Sequence, residues 1–464
     1  MKLTMLPPFG GAMRLLGSRT IFCLALASIG TGEALAEPDP LAQHPPVFVH
    51  YMPWFETPAS VGNWGYHWTM QTRDPDVIDS QGIRQIASHF YPAIGPYASG
   101  DPDVLEYHLL LIKLAGARGI LIDFYGAAGS NADLDLLLAN SDDIRDAAEA
   151  FGVEVGVVLE DRFATSADDV ATNLAYLRDH YFNRPSYTRL SGEPLVALFG
   201  PITIEDPATW PTIAAQAGEP IKLLPLWNQI GEVGTEGDGE FAWIFENEVE
   251  DDHLLRQQTF LAERAPTFET ALAVAYPGFD DYYLEGGVGD IIGFQIPHEN
   301  GLVLSQTLGL ADQFASNIAG VQVATFNDFG EGTIIEPTLE FGYTFLLQLQ
   351  AFTNAPGDEA TLHMAFELYS LRKAFGQMPA KVALLDLASE ALRDGRFNEA
   401  RTLLDDAAGP RGDANGDGLI DLVDFVAMRN SFGQYVADYS RGDFNLDGFV
   451  DLADFVLLRN NFGN

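Results

Sequence analysis

Short apolar runs alternate with amphipathic stretches between residues 46 and 345. Eight runs end in polar or aromatic residues, and they span residues 47–52, 120–125, 154–160, 194–199, 221–227, 241–246, 271–276 and 321–327. Stretches with helical periodicity, such as residues 103–115 and 133–151, separate most of them. Strands that alternate with helices form parallel sheets, and eight such strands close most readily into a barrel surrounded by helices. The pattern therefore predicts an α/β fold, a (β/α)8 TIM barrel over residues 46–350.

The pattern changes after the barrel. Residues 344–352, 361–375 and 380–406 place apolar side chains at helical spacing, and a break near Gly395 divides the last stretch into a helix pair. We predict a helical extension over residues 351–408 that caps the barrel. A regulatory role is the alternative interpretation.

The first 36 residues have the pattern of a secretory signal peptide. Two arginines precede an apolar stretch at residues 21–29, and an A-x-A cleavage sequence ends at Ala36. That stretch is too short to favour a membrane span, and no later segment is long and apolar enough for one. The only cysteine, Cys23, lies inside it, so disulfides cannot stabilise the exported protein. We expect a signal peptide at residues 1–36 and a secreted or cell-surface location.

The charge of the chain limits its partners. It has 66 acidic and 25 basic residues and a formal net charge of -41. Such a balance disfavours nucleic acid and anionic membrane surfaces, because both are negatively charged. It favours neutral partners and cations.

The run VQVATFNDFGEGTIIEP at residues 321–337 joins an apolar strand pattern to a loop rich in carboxyl groups. Asn327, Asp328, Glu331 and Glu336 follow one another within ten residues. Burying so many carboxyl groups without partners is costly, so they should face a cleft or take part in a reaction. An acidic surface turn is the alternative interpretation of these residue types.

The working side chains of a barrel lie where its strands end. Aromatic rings, carboxylates and amides recur at these ends and in nearby loops. A sugar site needs this mixture, because rings stack on the apolar face of a sugar and carboxylates accept hydrogen bonds from its hydroxyls. The candidate substrate-binding residues are Tyr51, Trp54, Trp64, His67, Trp68, Asp123, Tyr125, Glu160, Asn247, Asp281 and Asn327. For single rings such as Trp227 and Tyr276, core packing is the favoured interpretation.

Six motifs occur in order within residues 46–350: YMPWF, WGYHW, FYPAIGPYASGDPDVLEYHL, LIDFYG, PGFDD and FNDFGEGTIIEP. Together they resemble the glycoside hydrolase family 71/99-like group, which includes the endo-α-mannosidases and endo-mannanases of family 99. The resemblance implies a (β/α)8 barrel, retaining cleavage of an α-glycosidic bond, and no metal or other cofactor in the catalytic site.

The last of these motifs carries the catalytic residues that the resemblance implies. Family 99 usually has NEWHEGT there, and its two glutamates align with Asp328 and Glu331. In the family mechanism the first carboxylate deprotonates the sugar's own 2-hydroxyl, which attacks the anomeric carbon to give a 1,2-anhydro sugar. The second protonates the leaving oxygen and later activates water. Glu160 matches a family glutamate that contacts the sugar at the cleavage point.

The same motif departs from the family pattern. Asp328 is one methylene shorter than the family's glutamate, and a displacement of about 1 Å at a reacting group can cost on the order of a hundredfold in rate. Phe329 and Gly330 stand where the family often has tryptophan and histidine.

The C-terminal segment contains an internal repeat with a period of 30 residues, GDANGDGLIDLVDFVAMRNSFG from Gly412 and GDFNLDGFVDLADFVLLRNNFG from Gly442. Each copy has oxygen-bearing side chains at loop positions 1, 3, 5, 9 and 12 and glycine at position 6, which is the spacing of a calcium loop. The predicted ligands of two calcium ions are Asp413, Asn415, Asp417, the carbonyl of Leu419, Asp421 and Asp424 in the first loop, and Asp443, Asn445, Asp447, the carbonyl of Phe449, Asp451 and Asp454 in the second.

Only one helix is predicted beside each loop, and position 12 is aspartate rather than the glutamate of an EF-hand. This duplication over residues 412–464 resembles a type I dockerin, and the resemblance implies a small all-α module that docks to a cohesin-type receptor. Leu422-Val423 and Leu452-Ala453 replace the hydroxyl pair common in cellulosomal dockerins. Without calcium, repulsion among aspartates and a small core predict an unfolded module.

The sequence thus predicts a secreted glycoside hydrolase that cleaves an α-linked glycan of α-mannan or α-glucan type and carries a calcium-dependent docking module. The main alternative is a carbohydrate-binding barrel without catalytic activity, displayed through the dockerin-like repeat. A third interpretation assigns the function to the calcium module and makes the barrel a scaffold.

Overall fold

The computed structural model describes residues 44–246 and 252–463. The predicted signal peptide at residues 1–36 and the candidate Asn247 lie outside these ranges. Within them, no helix combines the length and the apolar character that crossing a bilayer requires.

Nine strands form one curled sheet. They are β1 (Val47–Tyr51), β2 (Gly119–Phe124), β3 (Glu154–Leu159), β4 (Arg189–Leu190), β5 (Glu193–Leu198), β6 (Lys222–Pro225), β7 (Gly239–Phe241), β8 (Thr270–Ala275) and β9 (Gly320–Val323). The strand order is β4-β5-β3-β2-β1-β9-β8-β7, and β6 also pairs with β5. The short β4 is antiparallel to β5, and the other ladders are parallel. Isolated parallel bridges, Leu223 to Gly237 and Leu226 to Phe241, join the region of β6 to that of β7 and give the sheet its barrel-like shape.

All eight predicted strands overlap an observed parallel strand, but the run at residues 241–246 shares only Phe241 with β7 and lies mostly beyond it. The strand in that region is β7, which ends where the run begins. Its ladder with β8 starts at Gly239, where any side chain would overlap the carbonyl oxygen of Thr270. A glycine that permits close backbone approach, rather than an apolar run, therefore sets the position of β7.

Fifteen α-helices surround and extend the sheet. They are α1 (Pro58–Val61), α2 (Tyr66–Thr69), α3 (Pro102–Leu114), α4 (Leu134–Phe151), α5 (Ala167–Leu177), α6 (Trp210–Ala214), α7 (Ile230–Val233), α8 (His253–Thr259), α9 (Leu302–Gln313), α10 (Thr344–Thr353), α11 (Glu359–Phe375), α12 (Pro379–Arg393), α13 (Phe397–Ala408), α14 (Leu422–Ser431) and α15 (Leu452–Asn461). Helix α3 shows how the sequence sets a boundary. The Asp101 side chain accepts a hydrogen bond from the Asp103 N–H, and Pro102 occupies the first helical position, where its missing N–H costs nothing.

Helices α10 to α13 lie where the apolar periodicity predicts them, and the C-terminal repeat packs against this extension. The imidazole Nε2 of His363 on α11 lies 2.8 Å from the Leu446 carbonyl oxygen. The repeat also reaches the barrel, because the Tyr435 N–H donates a 2.8 Å hydrogen bond to the carbonyl of Gln81. The described residues from His44 onward accordingly form one compact unit.

Candidate active site

The chain leaves β9 through a buried turn that carries Asp328 and Glu331. Thr325 Oγ1 accepts a 2.8 Å hydrogen bond from the Asp328 N–H, and the Glu331 N–H donates one of 3.0 Å to Asp328 Oδ1. The Asp328 side chain is buried, and Glu331 is half-buried. The turn thus fixes both acids on one short loop at the C-terminal end of a central strand.

Two further acids lie at the ends of neighbouring strands, Asp123 on β2 and Glu160 just after β3. Burial raises the pKa of Asp123 to about 7 and that of Glu160 to about 8. Burial also raises the pKa values of Asp328 and Glu331; the charge of Asp123 adds to the shift at Asp328, and the charge of Asp328 adds to that at Glu331. These four carboxyl groups form what we call the carboxyl cluster. Groups that titrate near neutral pH in this way can exchange protons with a substrate.

Few hydrogen-bond donors or positive charges oppose the raised pKa values of the carboxyl cluster. The Arg162 Nε lies 2.6 Å from Glu160 Oε2 and lowers the pKa of that carboxyl, although burial has the larger effect. The Tyr283 hydroxyl donates a 3.0 Å hydrogen bond to Glu331 Oε1. Sequence reasoning did not find Tyr283, although it lies two residues beyond the PGFDD motif.

A second loop runs along the catalytic turn. The Asp280 N–H donates to the Glu331 carbonyl at 2.9 Å, and the Tyr282 N–H donates to the Gly330 carbonyl at 2.8 Å. Asp281 is half-buried, and its Oδ1 accepts a 2.9 Å hydrogen bond from the Tyr283 N–H. Beside this loop lies a cavity of about 590 Å³, large enough for a sugar residue. It is lined by His89, Asp280, Asp281, Leu284, Glu285, Asp290, Gly293, Phe294 and Gln295.

Three predicted rings form a partly exposed aromatic group. The Trp54 and His67 rings stack with centroids 4.0 Å apart and planes 3° apart, and Tyr125 meets Trp54 edge-on at 6.2 Å. Burial lowers the pKa of His67 to about 3, so its imidazole is neutral. The charges of Asp123, Glu160 and Asp328 raise the pKa of the Tyr125 hydroxyl, after the larger effect of burial. The aromatic group therefore adjoins the carboxyl cluster.

Trp64 lies apart from this group. Its Nε1 donates a 2.9 Å hydrogen bond to Asp76 Oδ1, and the Arg84 guanidinium lies 5.3 Å from its ring centroid. These contacts hold the indole against the loop that follows α2.

Three predicted substrate-binding residues prove to be core residues. Tyr51 is 1% exposed and its hydroxyl lies 2.7 Å from His108 Nδ1, while Trp68 is fully buried and donates to the Tyr97 carbonyl at 2.8 Å. Asn327 is also fully buried, and its amide bonds both the N–H and the carbonyl of Met52. Because each polar atom of these three side chains has a hydrogen-bond partner inside the protein, they support the site from the protein interior instead of contacting a ligand.

A buried polar network continues beneath them. Glu336 Oε1 lies 3.3 Å from His108 Nε2, and its Oε2 accepts a 2.6 Å hydrogen bond from the Tyr97 hydroxyl. Asn327 Nδ2 lies 3.3 Å from that hydroxyl. Glu336, the last acid of the 321–337 run, is thereby fixed as an internal partner, and only Asp328 and Glu331 of that run remain available for a reaction.

The two repeat loops hold their aspartates against backbone N–H groups. Asp413 is buried, with Oδ2 accepting from the Gly418 N–H at 2.9 Å and Oδ1 without a hydrogen-bond partner. Asp424 accepts 2.8 Å hydrogen bonds from the Ala414 and Asp421 N–H groups, and Asp454 makes the matching bonds in the second copy. In the part of the chain that the structure describes, no three acidic, histidine or cysteine side chains converge as a metal cluster. The donors are nevertheless all oxygen, and the orphaned Asp413 Oδ1 fits a hard cation.

The curled sheet and its surrounding helices define a barrel-like α/β fold, with the carboxyl cluster at the C-terminal ends of its strands. A model of glycosyl hydrolase family 99 matches residues 40–228 of this chain. Asp123 and Glu160 lie inside the matched segment, whereas Asp328 and Glu331 lie beyond it.

Curated relatives and a solved structure agree with this match. A glycoprotein endo-alpha-1,2-mannosidase-like protein from Mus musculus is 26% identical over 211 residues, which are 41% of this chain and 45% of that protein. A glycoprotein endo-alpha-1,2-mannosidase from Rattus norvegicus is 26% identical over 198 residues, 38% of this chain and 42% of that protein. The chain thus spans less than half the length of these relatives. The structure of a GH99 endo-alpha-mannosidase from Bacteroides thetaiotaomicron superposes with a TM-score of 0.53 at 19% identity, covering 68% of this chain and 99% of that one. The comparisons confirm a family 99-like barrel fold and support the prediction of a glycoside hydrolase.

Proposed function

We propose that this chain is a glycoside hydrolase that cleaves an α-mannosidic bond of a glycan, with Asp328 and Glu331 as its acid/base pair. The observation that carries the proposal is the carboxyl cluster, three buried acids and one half-buried acid with raised pKa values at the C-terminal ends of barrel strands. The similarity to endo-α-mannosidases supports the choice of bond.

The surroundings of the two acids suit different roles. Burial raises the pKa of Asp328, but hydrogen bonds from the backbone N–H groups of Glu331 and Gly330 oppose that rise and favour the ionised form, so Asp328 acts as the base. The charge of Asp328 raises the pKa of Glu331, so Glu331 keeps its proton and acts as the acid. A pair of carboxyl groups separated in this way is what acid/base catalysis near neutral pH needs.

In the first step Asp328 removes the proton of the sugar 2-hydroxyl, and the resulting oxygen attacks the anomeric carbon. The bond to the leaving oxygen breaks, and Glu331 gives that oxygen its proton. In the second step Glu331 takes a proton from water, which opens the anhydro ring, and Asp328 returns its proton to the 2-oxygen. Glu160 and Asp123 accept hydrogen bonds from sugar hydroxyls, while the rings of Trp54 and Tyr125 offer an apolar face.

The test is the release of reducing sugar from a soluble α-mannan and from an α-glucan, with products identified by mass spectrometry. Oligosaccharide products from the mannan alone support the proposal. A second candidate, a barrel that binds glycan without cleaving it, is favoured by the short Asp328 side chain. It predicts calorimetric binding of mannan oligosaccharides with no product after long incubation.

We further propose that each repeat loop binds one calcium ion through its six predicted ligands, and that the repeat docks to a cohesin-type receptor. The buried, partly unpaired Asp413 and the all-oxygen donor set support calcium binding. The exposed apolar side chains of Leu422, Val423 and Leu452 support docking to a protein partner. Secretion is proposed from the sequence of residues 1–36. Calorimetric titration with Ca²⁺ tests the first point, and pull-down with a recombinant cohesin tests the second.

A further inference from the structure

A histidine that the mechanism does not use lies inside the barrel, beside the carboxyl cluster. His50 is on β1 and is 1% exposed. β1 pairs with β9 on one side and β2 on the other, which brings His50 close to Gln322 and Asp123. Gln322 Nε2 lies 3.3 Å from His50 Nδ1, and Asp123 Oδ1 lies 3.8 Å from His50 Nε2. The Trp243 ring meets the imidazole edge-on at 5.0 Å.

The protonation state of His50 follows from this environment. Burial lowers its pKa to about 3, so the imidazole is neutral near pH 7 and carries one proton. Gln322 Nε2 is a donor atom, and its position opposite Nδ1 leaves the proton on Nε2. His50 Nε2 is buried and makes no hydrogen bond to any of the residues the structure describes. Its nearest acidic oxygen is Asp123 Oδ1.

The Asp123 carboxylate needs a hydrogen-bond donor such as His50 Nε2–H. Its carboxyl is buried, and an ionised buried carboxylate is unstable unless hydrogen bonds compensate for the lost water. The titratable groups that surround it are His50, Tyr125, Glu160, Arg162 and Asp328. Arg162 favours the ionised form, whereas the acidic groups oppose it. Among these groups, only His50 is a neutral N–H donor.

We propose that His50 is a positioning residue, whose neutral Nε2–H holds the Asp123 carboxylate in the orientation that accepts a hydrogen bond from the bound sugar. The 3.8 Å separation is longer than a hydrogen bond, and the proposal requires it to shorten when the bound sugar orders Asp123. This inference rests on the proposed function, because it requires a glycan at Asp123. It assigns His50 no proton transfer and no contact with the sugar.

The first experiment does not depend on activity. The full-length protein is labelled with ¹⁵N-histidine, and the His50 signals are assigned by their loss in His50→Gln. The proposal predicts a neutral Nε2–H tautomer from pH 5 to 8, with an Nε2 signal that changes in Asp123→Asn. A charged imidazole or an Nδ1–H tautomer would overturn it.

The second experiment follows the pH dependence of KM and kcat on soluble α-mannan for His50→Leu and His50→Gln. Removing the donor destabilises the ionised form of Asp123 and raises its pKa, so the Leu variant should show a KM about tenfold higher at pH 6.5 and a smaller difference at pH 9. The Gln variant, which keeps an N–H donor, should recover most of the affinity. Thr188→Val, which removes a buried hydroxyl elsewhere in the barrel, is the matched control.

The outcomes separate this inference from the proposed function. An active enzyme whose Leu variant loses thermal stability but keeps its pH profile shows that His50 only fills space, and the inference fails alone. If the wild type binds mannan oligosaccharides without cleaving them, the same pH-dependent loss of affinity, measured by calorimetry, still supports His50. If the wild type neither binds nor cleaves, both proposals fall.

Discussion

Buried acidic side chains lie in the repeat loops and in the barrel, and the hydrogen-bond donors around them differ between these two regions. In the repeat loops, Asp424 and Asp454 each accept hydrogen bonds from several backbone N–H groups. In the barrel, Glu160 depends on one exposed arginine and Asp123 faces a neutral histidine. Backbone N–H groups fix the geometry of a carboxylate, which suits a cation ligand. A buried carboxyl with few donors keeps its proton to higher pH, which suits acid/base chemistry.

The strongest test of this contrast is Glu331→Gln. Glutamine has the same shape but cannot release or accept the proton, so kcat/KM should fall about 1,000-fold. The melting temperature should change little, because the Tyr283 hydroxyl can still donate to the amide oxygen. Initial rates on α-mannan measure the effect. The exposed Glu263→Gln is the matched control and should be indistinguishable from wild type; an active Glu331→Gln enzyme would remove this residue from the mechanism.

Calcium removal should affect the other region. If the loops bind calcium, saturation to 100 times the dissociation constant stabilises the folded state by about 2.7 kcal/mol. Chelation should therefore lower the melting temperature of the repeat by several degrees, and Asp413→Asn should abolish most of the difference. Differential scanning calorimetry with EDTA, Ca²⁺ and Mg²⁺ measures this. Equal traces with and without Ca²⁺ would contradict the calcium proposal.

Lengthening Asp328 probes how closely the turn has adapted to the shorter acid. The side chain is 3% exposed, and the Glu331 N–H binds it at 3.0 Å. An added methylene must displace the carboxylate by about 1 Å, so Asp328→Glu should lower kcat by roughly tenfold to a hundredfold. Stopped assays on α-mannan, compared with Asp328→Asn, measure the loss. A gain in rate would show instead that the shorter side chain limits this enzyme.

The pH profile gives the smallest expected change. Asp328 must be ionised and Glu331 protonated. Burial raises the pKa of both carboxyl groups, and the charge of Asp328 raises that of Glu331 further, so kcat/KM should peak between the two pKa values and fall on both sides. The Tyr283 hydrogen bond lowers the pKa of Glu331, so Tyr283→Phe should move the alkaline limb upward by less than about one pH unit. Tyr66→Phe, an exposed tyrosine, should leave the limb in place.

The sequence predicted the barrel because its buried strands are runs of apolar, often β-branched residues, as in β3 and β8. It predicted a loop rich in carboxyl groups after β9 because these groups crowd one strand end. It could not assign the direction of each side chain, since Trp68 and Trp54 are of the same residue type, yet Trp68 is fully buried and Trp54 is partly exposed. His50 was overlooked because a lone histidine in an apolar strand has the pattern of a core residue, and only the neighbouring strands show its contact with Asp123.

The hydrogen bonds from Tyr435 to Gln81 and from His363 to Leu446 hold the repeat against the barrel and the helical extension. The exposed apolar side chains at the starts of α14 and α15 take no part in these two hydrogen bonds. A receptor that binds those side chains would therefore fix the orientation of the barrel and its cleft as well as tether them. The area of an insoluble glycan that the barrel can contact would then depend on the mobility of the receptor, because the repeat would not act as a flexible linker.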